Sequence, residues 1–505
     1  MNFVKLPLWA KTLIIILLLI IIIMLFFKCC RCSRQIPRTP VKGHPTQMVI
    51  WKNPDSSDIS FSIWLNKMKD SIRVFGEITD SAACQNCDSD LLLLSGPGPQ
   101  AFIQQSGSGG SGGSKPGTPG GGGGPAFYCA NLSFRVPDLH LDSPYLTNYK
   151  PVNLPFNKFP NNNKNVTTVA VFDTGRDTGS ITNFFVSGVS QTCLLDTRSQ
   201  FGWNFVGNNS NTLDDYPTRH GSVVTRFIVN QVLQYSSNSV ISPGGSVNIL
   251  PVKIFDSTGK GSLYNILCGI AYAANCGAKV INASFGFYDR SDTTINEVAA
   301  VMMQNYMRHY LVKNNILMVA AAGNDNPSED SIYWAQTGNK SANPRNLDSN
   351  FFYPACLVKD KLLKNNLLVV TTVSYTSGQV SPLQNFSNGI VDIGVNCDAI
   401  IDSGNIQYYS FVNPIQPNDL IVIGGERKFK IHTVTGSSFA TPIVTGKIVA
   451  YYNTLVNNNI LNKDGLLNNI QSINPYGPGL SLSLLRPVSQ FNSTIRNGLT
   501  CSKTP

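Results

Sequence analysis

Short apolar runs alternate with longer segments of helical periodicity through the central part of the chain, and this alternation constrains the fold more than any other feature. The runs are rich in valine, isoleucine and leucine and show no regular polar alternation, which is typical of strands buried on both faces. The predicted strands are Thr168–Phe172, Asn248–Phe255, Lys279–Ser284, Ile316–Ala322 and Leu367–Val373, and the predicted helices include Ser262–Asn275 and Ile295–Lys313. Strands that alternate with helices predict an α/β fold with a right-handed, mainly parallel sheet covered by helices on both faces.

A serine stands at the start of one apolar helix. Gly436, Ser437 and Ser438 lead directly into an apolar stretch that continues to Tyr451, with Pro442 in its first turns. Unpaired backbone N–H groups and the positive end of the helix dipole would stabilise an oxyanion that forms beside Ser438. Taken alone, such a serine is more often a helix cap.

A serine hydroxyl is a weak nucleophile and needs a base, and the chain has only five histidines. His220 stands at a junction between a loop and a helix, because apolar residues follow it at helical spacing. The other four lie in irregular sequence, in an amphipathic helix or in a short alternating stretch. His220 is therefore the candidate base.

Polar residues follow two of the predicted strands. Asp173 comes directly after the first strand, and Asn324 follows the strand that ends at Ala322. Open α/β folds build their sites at the carboxyl ends of such buried parallel strands. A carboxylate there can orient a histidine, and a side-chain amide can donate a hydrogen bond to an oxyanion.

These residues belong to four motifs that resemble those of the subtilisin-like serine proteases, the subtilase or peptidase S8 family. They occur in the order acid, histidine, serine that this family uses. The resemblance covers roughly residues 165–455 and implies a subtilisin-like three-layer fold with a mainly parallel sheet between helices. The motifs are Asp173-Thr174-Gly175, His220-Gly221-Ser222-Val223-Val224, Ala321-Ala322-Gly323-Asn324 and Gly436-Ser437-Ser438-Phe439-Ala440-Thr441-Pro442.

The resemblance implies a catalytic role for each motif. Ser438 is implied to be the nucleophile, His220 the general base and then acid, and Asp173 the carboxylate that orients the imidazole. Asn324 is implied to complete an oxyanion hole with the backbone N–H of Ser438. The implied enzyme is a serine endopeptidase that cleaves polypeptides through an acyl-enzyme.

The resemblance also implies substrate-binding and metal properties. The segment Val280–Gly286 is similar to the family strand that pairs with the substrate backbone, so Ser284, Phe285 and Gly286 are candidate substrate-binding residues. No cofactor is expected. Structural calcium is common in the family, and acids occur within residues 325–330, but an exposed loop is the favoured interpretation of that stretch.

The chain departs from the common family pattern beside the reactive residues. Many subtilases have Thr-His-Val-Ala where this chain has Ser222-Val223-Val224-Thr225. Threonine is usual in place of Ser437, and methionine is common in place of Phe439. These changes leave the triad in place and bear on the shape of the pocket and the rate.

Residues 1–34 predict a membrane anchor and a juxtamembrane cysteine cluster. Leu13–Phe27 is unbroken apolar sequence, and a helix that begins at Leu8, with the Lys11 side chain snorkelling, is long enough to span a bilayer. A cleaved signal peptide is the alternative, but Lys28 and cysteines follow where small residues would mark a cleavage site. Basic residues beyond the segment lean towards a cytoplasmic C-terminal side, whereas similar subtilases are mostly exported, so the orientation stays open.

The formal net charge of +10 does not indicate a nucleic-acid partner. The first 42 residues hold seven Lys and Arg and no acid, so the rest of the chain carries only about +3. The expected partners are polypeptide substrates and, through the N-terminal helix, the lipid bilayer.

A small α/β unit is predicted over residues 45–95. The segment Ser60–Ile72 has helical spacing and lies among three predicted strands. The unit is either a packing module or a propeptide-like chaperone or inhibitor, which the family often places here. The predicted strands are Met48–Trp51, Arg73–Ile78 and Leu91–Leu94.

A flexible linker is predicted over residues 96–126, because Ser106–Pro125 is nearly all Gly, Ser, Pro and Thr. The catalytic domain is then expected over residues 127–475 and a tail over residues 476–505. A catalytically silent subtilase-like module that binds or scaffolds at the membrane is the alternative function, and a protease kept latent by residues 47–94 is a further variant.

Overall fold

The computed structural model describes part of the chain. Contacts divide the chain into two units, Met1–Val41 and Lys42–Pro505, and every described residue belongs to the second. The predicted anchor lies outside the described residues, as does most of the predicted tail. No helix among the described residues has both the length and the apolar sequence that a membrane span requires. The described residues are 47–84, 88–106, 109–111, 125–136, 140–141, 145–147, 167–177, 185, 202–238, 247–288, 293–374, 376–403, 406–414, 420–423, 426–455 and 485–487.

The elements are numbered in chain order. The strands are β1 (Gln47–Lys52), β2 (Asp80–Cys84), β3 (Asp88–Ser95), β4 (Gly109–Ser111), β5 (Ala126–Ala130), β6 (Ser133–Arg135), β7 (His140–Leu141), β8 (Tyr145–Thr147), β9 (Thr167–Asp173), β10 (Trp203–Asn204), β11 (Val247–Lys253), β12 (Lys260–Ser262), β13 (Val280–Ala283), β14 (Phe287–Tyr288), β15 (Leu317–Ala321), β16 (Phe352–Tyr353), β17 (Leu367–Val373), β18 (Ile393–Asn396), β19 (Ala399–Ser403), β20 (Ile406–Val412), β21 (Leu420–Ile423), β22 (Glu426–Ile431), β23 (Thr433–Thr435) and β24 (Leu485–Pro487). The α-helices are α1 (Asp58–Arg73), α2 (Pro97–Ser106), α3 (His220–Asn238), α4 (Leu263–Asn275), α5 (Thr293–Met307), α6 (Pro327–Thr337) and α7 (Ser437–Leu455). A π-helical turn, Arg308–Val312, continues α5, and a 3-10 helix spans Ala355–Lys359.

An eight-stranded sheet forms the centre of the unit. Its order is β10-β11-β9-β13-β15-β17-β18-β24, and every neighbouring pair is parallel except β18 with β24. Because β9, β13 and β15 are adjacent and parallel, their carboxyl ends lie together at one edge of the sheet. The segments that follow these ends therefore meet in space.

Successive side chains of β9 reach opposite faces of this sheet. Val171 belongs to the buried cluster formed with α3 and α7, whereas Phe172 faces α4, where a Cβ on Gly269 would lie 2.9 Å from its ring. Helices α3 and α7 themselves approach closely at Gly446, since a Cβ there would stand 2.6 Å from the Ile228 carbonyl oxygen. Their packing fixes the relative positions of the two helix starts. The cluster on this face includes Val169, Val171, Val223, Phe227, Ile443 and Val444.

A smaller antiparallel sheet, of order β2-β3-β1-β5-β4, packs against α4 and α5. Trp51 of β1 has its ring 4.9 Å from that of Tyr306 and 5.8 Å from that of His309. Beside them the Cys129 thiol lies 3.1 Å from the sulfur of Met302. The unit thus consists of the small sheet, the layer of α4 and α5, the parallel sheet, and the layer of α3 and α7.

The central elements confirm the sequence prediction of a mainly parallel sheet between helices. Leu367–Val373 has the predicted limits, and the other four strands differ by one or two residues at each end. The predicted helix Ile295–Lys313 is α5 with its π-helical continuation. Ser262 caps α4, because its side chain accepts a hydrogen bond from the Asn265 N–H.

The small unit differs from the prediction in two ways. The segment Arg73–Ile78 is not a strand, since Arg73 ends α1 and the next strand begins at Asp80. Residues assigned to the linker also belong to the small sheet, because α2 packs on it and β4 and β5 complete it. The edge of a sheet can pair with any sequence through backbone hydrogen bonds. The glycine-rich composition therefore did not predict that Gly109–Ser111 is a strand.

Candidate active site

Asp173 and His220 form a buried pair at the carboxyl edge of the parallel sheet. Asp173 is the last residue of β9 and His220 the first of α3, and their exposed fractions are 2% and 1%. His220 Nδ1 lies 2.8 Å from Asp173 Oδ1 and 3.0 Å from Oδ2. A carboxylate can only accept, so Nδ1 carries the hydrogen, and the lone pair of a neutral imidazole in this position is on Nε2. This is the tautomer that a general base requires.

A glycine after the histidine allows this pair to form. A Cβ on Gly221 would lie 2.4 Å from the Gly175 carbonyl oxygen and 3.0 Å from Asp173 Cβ. The Gly221 N–H donates to Thr174 Oγ1 at 2.9 Å, and the Thr174 N–H donates to Asp173 Oδ1 at 2.8 Å. The two motifs therefore fit together through backbone contact, which a side chain at position 221 would prevent.

Ser438 is the second residue of α7 and is 1% exposed. The ring of Phe439, the next residue, lies 5.2 Å from the His220 ring. His220 Nε2 is buried and has no hydrogen-bond partner among the described residues, so Ser438 and His220 are not joined by a hydrogen bond in this structure. Such bonds often tighten only when substrate binds.

Asn324 follows β15 and lies against the same helix start. Its Oδ1 accepts hydrogen bonds from the Ser437 N–H at 2.8 Å and from the Ser437 hydroxyl at 3.0 Å. Within the described part of the chain its Nδ2 makes no hydrogen bond. Gly436 keeps the space beside this amide open, since a Cβ there would stand 3.2 Å from Nδ2. The amide is therefore held by its oxygen with its donor available.

Ser437 was assigned no role from the sequence, yet it connects the start of α7 to the strand-end motif that contains Gly323 and Asn324. Its hydroxyl accepts from the Gly323 N–H at 3.1 Å and donates to Asn324 Oδ1. Threonine, which is usual at this position in the family, also carries a side-chain hydroxyl. This common hydroxyl is the feature of the sequence that could have indicated the role of Ser437.

The side chains of the predicted substrate-binding segment are buried. The Ser284 hydroxyl donates to the Ser438 carbonyl oxygen at 2.8 Å, and the Phe285 ring packs 5.4 Å from the ring of Phe255. A Cβ on Gly286 would lie 2.3 Å from the Phe352 ring. Any contact of these residues with substrate must use their backbone, and their binding role stays a prediction.

Asn282 supports this arrangement from the core. It is fully buried, its Oδ1 accepts from the Thr445 hydroxyl at 2.9 Å, and its Nδ2 donates to Ser284 Oγ at 2.9 Å. A chain of hydrogen bonds thus runs from α7 through β13 and back to Ser438. The Ser438 carbonyl oxygen is therefore connected through Ser284 and Asn282 to Thr445, two turns further along α7.

No group of three or more His, Cys, Asp or Glu side chains in the described part of the chain is placed to hold a metal ion. The expected exposed loop is found only at Asp325 and Asn326, because α6 begins at Pro327. Asp330 is buried and forms an ion pair with Arg345. This stretch is therefore a poor candidate for a calcium site.

Comparison with known proteins gives results consistent with this geometry. The subtilase family model (peptidase S8) matches residues 164–464, which is more than half of the chain. The cell wall-associated protease of Bacillus subtilis (strain 168) is 37% identical over 142 residues, which are 27% of this chain and 14% of that protein. Thermitase of Thermoactinomyces vulgaris is 28% identical over 134 residues, which are 26% of this chain and 43% of thermitase. The matched segments thus span less than half the length of these relatives.

Solved structures with similar folds are more distant in sequence. A mutant form of the epidermin leader peptide processing serine protease from Staphylococcus aureus has a TM-score of 0.48 and 15% identity, covering 87% of this chain and 96% of that chain. A lanthipeptide protease has a TM-score of 0.42 and 18% identity, covering 63% of this chain and 84% of that chain.

Proposed function

The chain belongs to the subtilase family, and we propose that it is a membrane-anchored serine endopeptidase that uses Asp173, His220 and Ser438. The observation that carries the proposal is the buried pair of Asp173 and His220, whose Nε2 has no partner among the described residues. Ser438 stands at a helix start, where the helix dipole stabilises an oxyanion, and the ring of the next residue, Phe439, lies 5.2 Å from the His220 ring.

The proposed acylation follows from this geometry. Ser438 Oγ attacks the carbonyl carbon of the peptide bond while its proton passes to His220 Nε2, and Asp173 stabilises the imidazolium. The negative carbonyl oxygen accepts hydrogen bonds from Asn324 Nδ2 and the Ser438 N–H. The C–N bond then breaks as His220 gives the proton to the leaving amine.

Deacylation uses the same groups with water as the nucleophile. His220 takes a proton from the water, whose oxygen attacks the ester carbonyl of the acyl-enzyme. Collapse of this second intermediate returns the proton to Ser438 Oγ and releases the carboxylic acid. The proposed cycle consumes one water and leaves the enzyme unchanged.

The test is peptide hydrolysis by the full-length protein beside its Ser438→Ala variant. The variant should lose about a millionfold in kcat, because the substitution removes the nucleophilic hydroxyl. A variant that hydrolyses as fast as wild type would overturn the proposal. The silent-module alternative predicts no hydrolysis and no reaction with a fluorophosphonate in either protein.

The contacts of β6 favour a latent form of this protease. Ser133–Arg135 pairs antiparallel with Lys260–Ser262, and Phe134, in the middle of β6, packs 4.6 Å from the Phe287 ring. Phe287 directly follows the predicted substrate-binding segment. An extended segment of the chain thus pairs with β12 and packs a ring next to that segment, and antiparallel pairing with a strand is one way in which a peptide binds. We propose that the small sheet holds it there.

Trp51→Ala tests the latent form without shortening the chain. The substitution removes the contacts of Trp51 with Tyr306 and His309, which join the small sheet to α5 and its continuation. If the small sheet inhibits, hydrolysis should rise severalfold, because loss of such a buried aromatic weakens packing by about 3–5 kcal/mol. Unchanged hydrolysis by folded Trp51→Ala protein would reject latency and leave the protease proposal standing.

The membrane anchor is the part of the proposal that rests on sequence alone. Its support is the unbroken apolar run Leu13–Phe27. Full-length protein should sediment with membranes and resist extraction by alkaline carbonate. Protein that lacks residues 1–34 should be released, and release of the full-length protein by carbonate would argue against an integral anchor.

A further inference from the structure

We propose that Tyr288, Arg345 and Asn385 form a buried polar bracket that positions Asn324 for oxyanion binding. The inference rests on the proposed protease function, because it assigns a task to groups behind the oxyanion hole. None of the three residues belongs to the motifs that contain Asp173, His220, Asn324 and Ser438. They are positioning residues, since they act on the reaction only through Asn324.

The bracket holds the backbone of Asn324 directly. The Tyr288 hydroxyl hydrogen-bonds to the Asn324 carbonyl oxygen and lies 2.9 Å from Asn385 Oδ1. Arg345 Nη1 donates to Tyr288 Oη at 2.8 Å and to Asn385 Oδ1 at 3.3 Å. The three side chains are 8%, 4% and 0% exposed for Tyr288, Arg345 and Asn385, so water does not compete for these bonds.

Arg345 determines which acceptor receives the hydrogen of the Tyr288 hydroxyl. The tyrosine hydroxyl has one hydrogen and two acceptors within reach, the Asn324 carbonyl and Asn385 Oδ1. Arg345 Nη1 has two hydrogens, one for Tyr288 Oη and one for Asn385 Oδ1. Because Arg345 satisfies Asn385 Oδ1, the single hydrogen of Tyr288 is directed to the Asn324 carbonyl.

The same bracket holds the residues just before Asn324. Asn385 Nδ2 donates to the Ala322 carbonyl oxygen at 2.7 Å, and the Asn385 N–H donates to the Gly323 carbonyl oxygen at 3.0 Å. Gly323 has φ +102°, and a Cβ there would stand 2.5 Å from Asn385 Nδ2. Three successive carbonyl groups, those of Ala322, Gly323 and Asn324, therefore accept from the bracket.

Asp330 balances the charge of the bracket. Arg345 Nη2 forms an ion pair with Asp330, which is itself buried in α6. The guanidinium can therefore stay desolvated beside the active site without adding a net charge there. Its carbon also lies 5.5 Å from the centre of the Tyr288 ring, which fixes the ring from its face.

Asn324 is held at two points. Ser437 donates to its side-chain oxygen, and Tyr288 donates to its main-chain carbonyl oxygen. These two contacts restrict the orientation of the Nδ2 group. A misplacement of about 1 Å in such a group lowers a rate by about 100-fold, so small freedom here has a measurable effect. Tyr288 also stands two residues after Gly286, which links the predicted substrate segment to the oxyanion donor.

Tyr288→Phe is the test, measured by peptide hydrolysis with full-length protein. The ring and its packing 4.8 Å from the Phe352 ring are kept, and only the hydroxyl is lost. We expect kcat to fall about 10-fold with KM changed less than about twofold, because the lost alignment acts in the transition state. Tyr333→Phe is the matched control, since it removes a tyrosine hydroxyl that lies 3.2 Å from Ser349 Oγ, an atom outside the bracket. Its kcat should stay within about twofold of wild type.

A double-mutant cycle separates positioning from general loosening. In an Asn324→Ala background Tyr288→Phe should change kcat by less than about twofold, because the group it positions is absent. Arg345→Lys, which keeps the charge beside Asp330 but lacks the two-pronged donation, is the second variant and should behave in the same way.

The results of these experiments distinguish failure of the positioning inference from failure of the proposed function. Equal losses in the wild-type and Asn324→Ala backgrounds, or no loss from either bracket variant in the wild-type background, would overturn the inference and leave the protease proposal intact. Folded wild-type protein that neither hydrolyses peptide nor reacts with a fluorophosphonate would overturn the proposed function, and the inference with it.

Discussion

The two halves of the candidate site are built in opposite ways. In the acid–base half, Asp173 and His220 bind each other at 2.8 and 3.0 Å, so each functional side chain orients the other, with the Thr174 N–H as a further donor to Asp173. In the oxyanion half, Asn324 Nδ2 makes no hydrogen bond with the described residues, and its support comes from Ser437 and the bracket. One half is aligned by its members, and the other is aligned by its surroundings.

The two halves also differ in whether substrate is needed for their hydrogen bonds. The pair of Asp173 and His220 needs no substrate to be aligned, so it sets the tautomer in the resting protein. In the proposed mechanism the Asn324 amide, which has no partner for Nδ2 among the described residues, donates its hydrogen bond most strongly when the carbonyl oxygen becomes charged. An interaction of that kind raises kcat and leaves KM nearly unchanged.

The largest effect is expected when the acid–base half is removed. His220→Ala should lower kcat by about a millionfold, and combining it with Ser438→Ala should lower it no further, because nucleophile and base act as a unit. Steady-state hydrolysis by both single variants and the double variant measures this. A double variant with the product of the two single losses would show that the residues act independently.

A smaller effect is expected when only the orientation of that half changes. Asp173→Asn keeps the shape but can favour the wrong imidazole tautomer, so kcat should fall about 10,000-fold. Asp177→Asn is the control, since Asp177 is also buried but pairs with Arg226 at 3.0 Å. Hydrolysis by Asp173→Asn within tenfold of wild type would mean that this half is not aligned by the carboxylate.

The oxyanion half should give a smaller loss again. Asn324→Ala should lower kcat by about 100- to 1,000-fold with little change in KM. Asn326→Ala is the matched control two residues away. Asn326 caps α6, so its loss should cost about 1 kcal/mol of stability and leave kcat unchanged. A rise in KM with normal kcat for Asn324→Ala would mean that Asn324 binds substrate in the ground state. The proposed difference between the two halves would then be wrong.

The smallest effect concerns stability on the Ser438 side. Burial in α7 lowers the pKa of Lys447 to about 8, although Asp398 acts in the opposite direction. The unfolded chain, with an ordinary lysine pKa of about 10.4, therefore binds more protons between pH 10 and 8. The free energy of unfolding should fall by about 1–3 kcal/mol as the pH drops through this window and stay level below it.

Lys447→Met isolates that contribution. Urea unfolding of the variant should show a flatter dependence on pH between about pH 8 and 10 than wild type. Identical pH dependence in the two proteins would assign the titration to another group. The predicted losses in kcat for the active-site variants do not depend on this result.

The sequence predicted the acid–base half better than the oxyanion half for a physical reason. Asp173 and His220 lie at element ends with glycines beside them, and close backbone approach requires those glycines. Short motifs therefore carry most of the geometry. The parallel sheet was also predictable. A strand that is buried on both faces of a sheet must consist mainly of apolar residues, and such runs alternate with helical segments along the chain.

The bracket could not be predicted in this way. Tyr288, Arg345 and Asn385 are far apart in the chain, and none has a characteristic spacing to Asn324. Each is an ordinary polar residue until tertiary structure buries it. The stretch around Asp330 was interpreted as an exposed loop for the same reason, since its ion pair with Arg345 is not visible in the sequence.

The most direct test of the account is covalent labelling of the full-length protein with a fluorophosphonate, followed by mass spectrometry of the digested chain. We expect one phosphonyl group, located on Ser438, that is absent from His220→Ala protein because the serine is no longer activated. Folded wild-type protein that stays unlabelled, or that is labelled equally with and without His220, would contradict the assignment of this site as a serine protease centre.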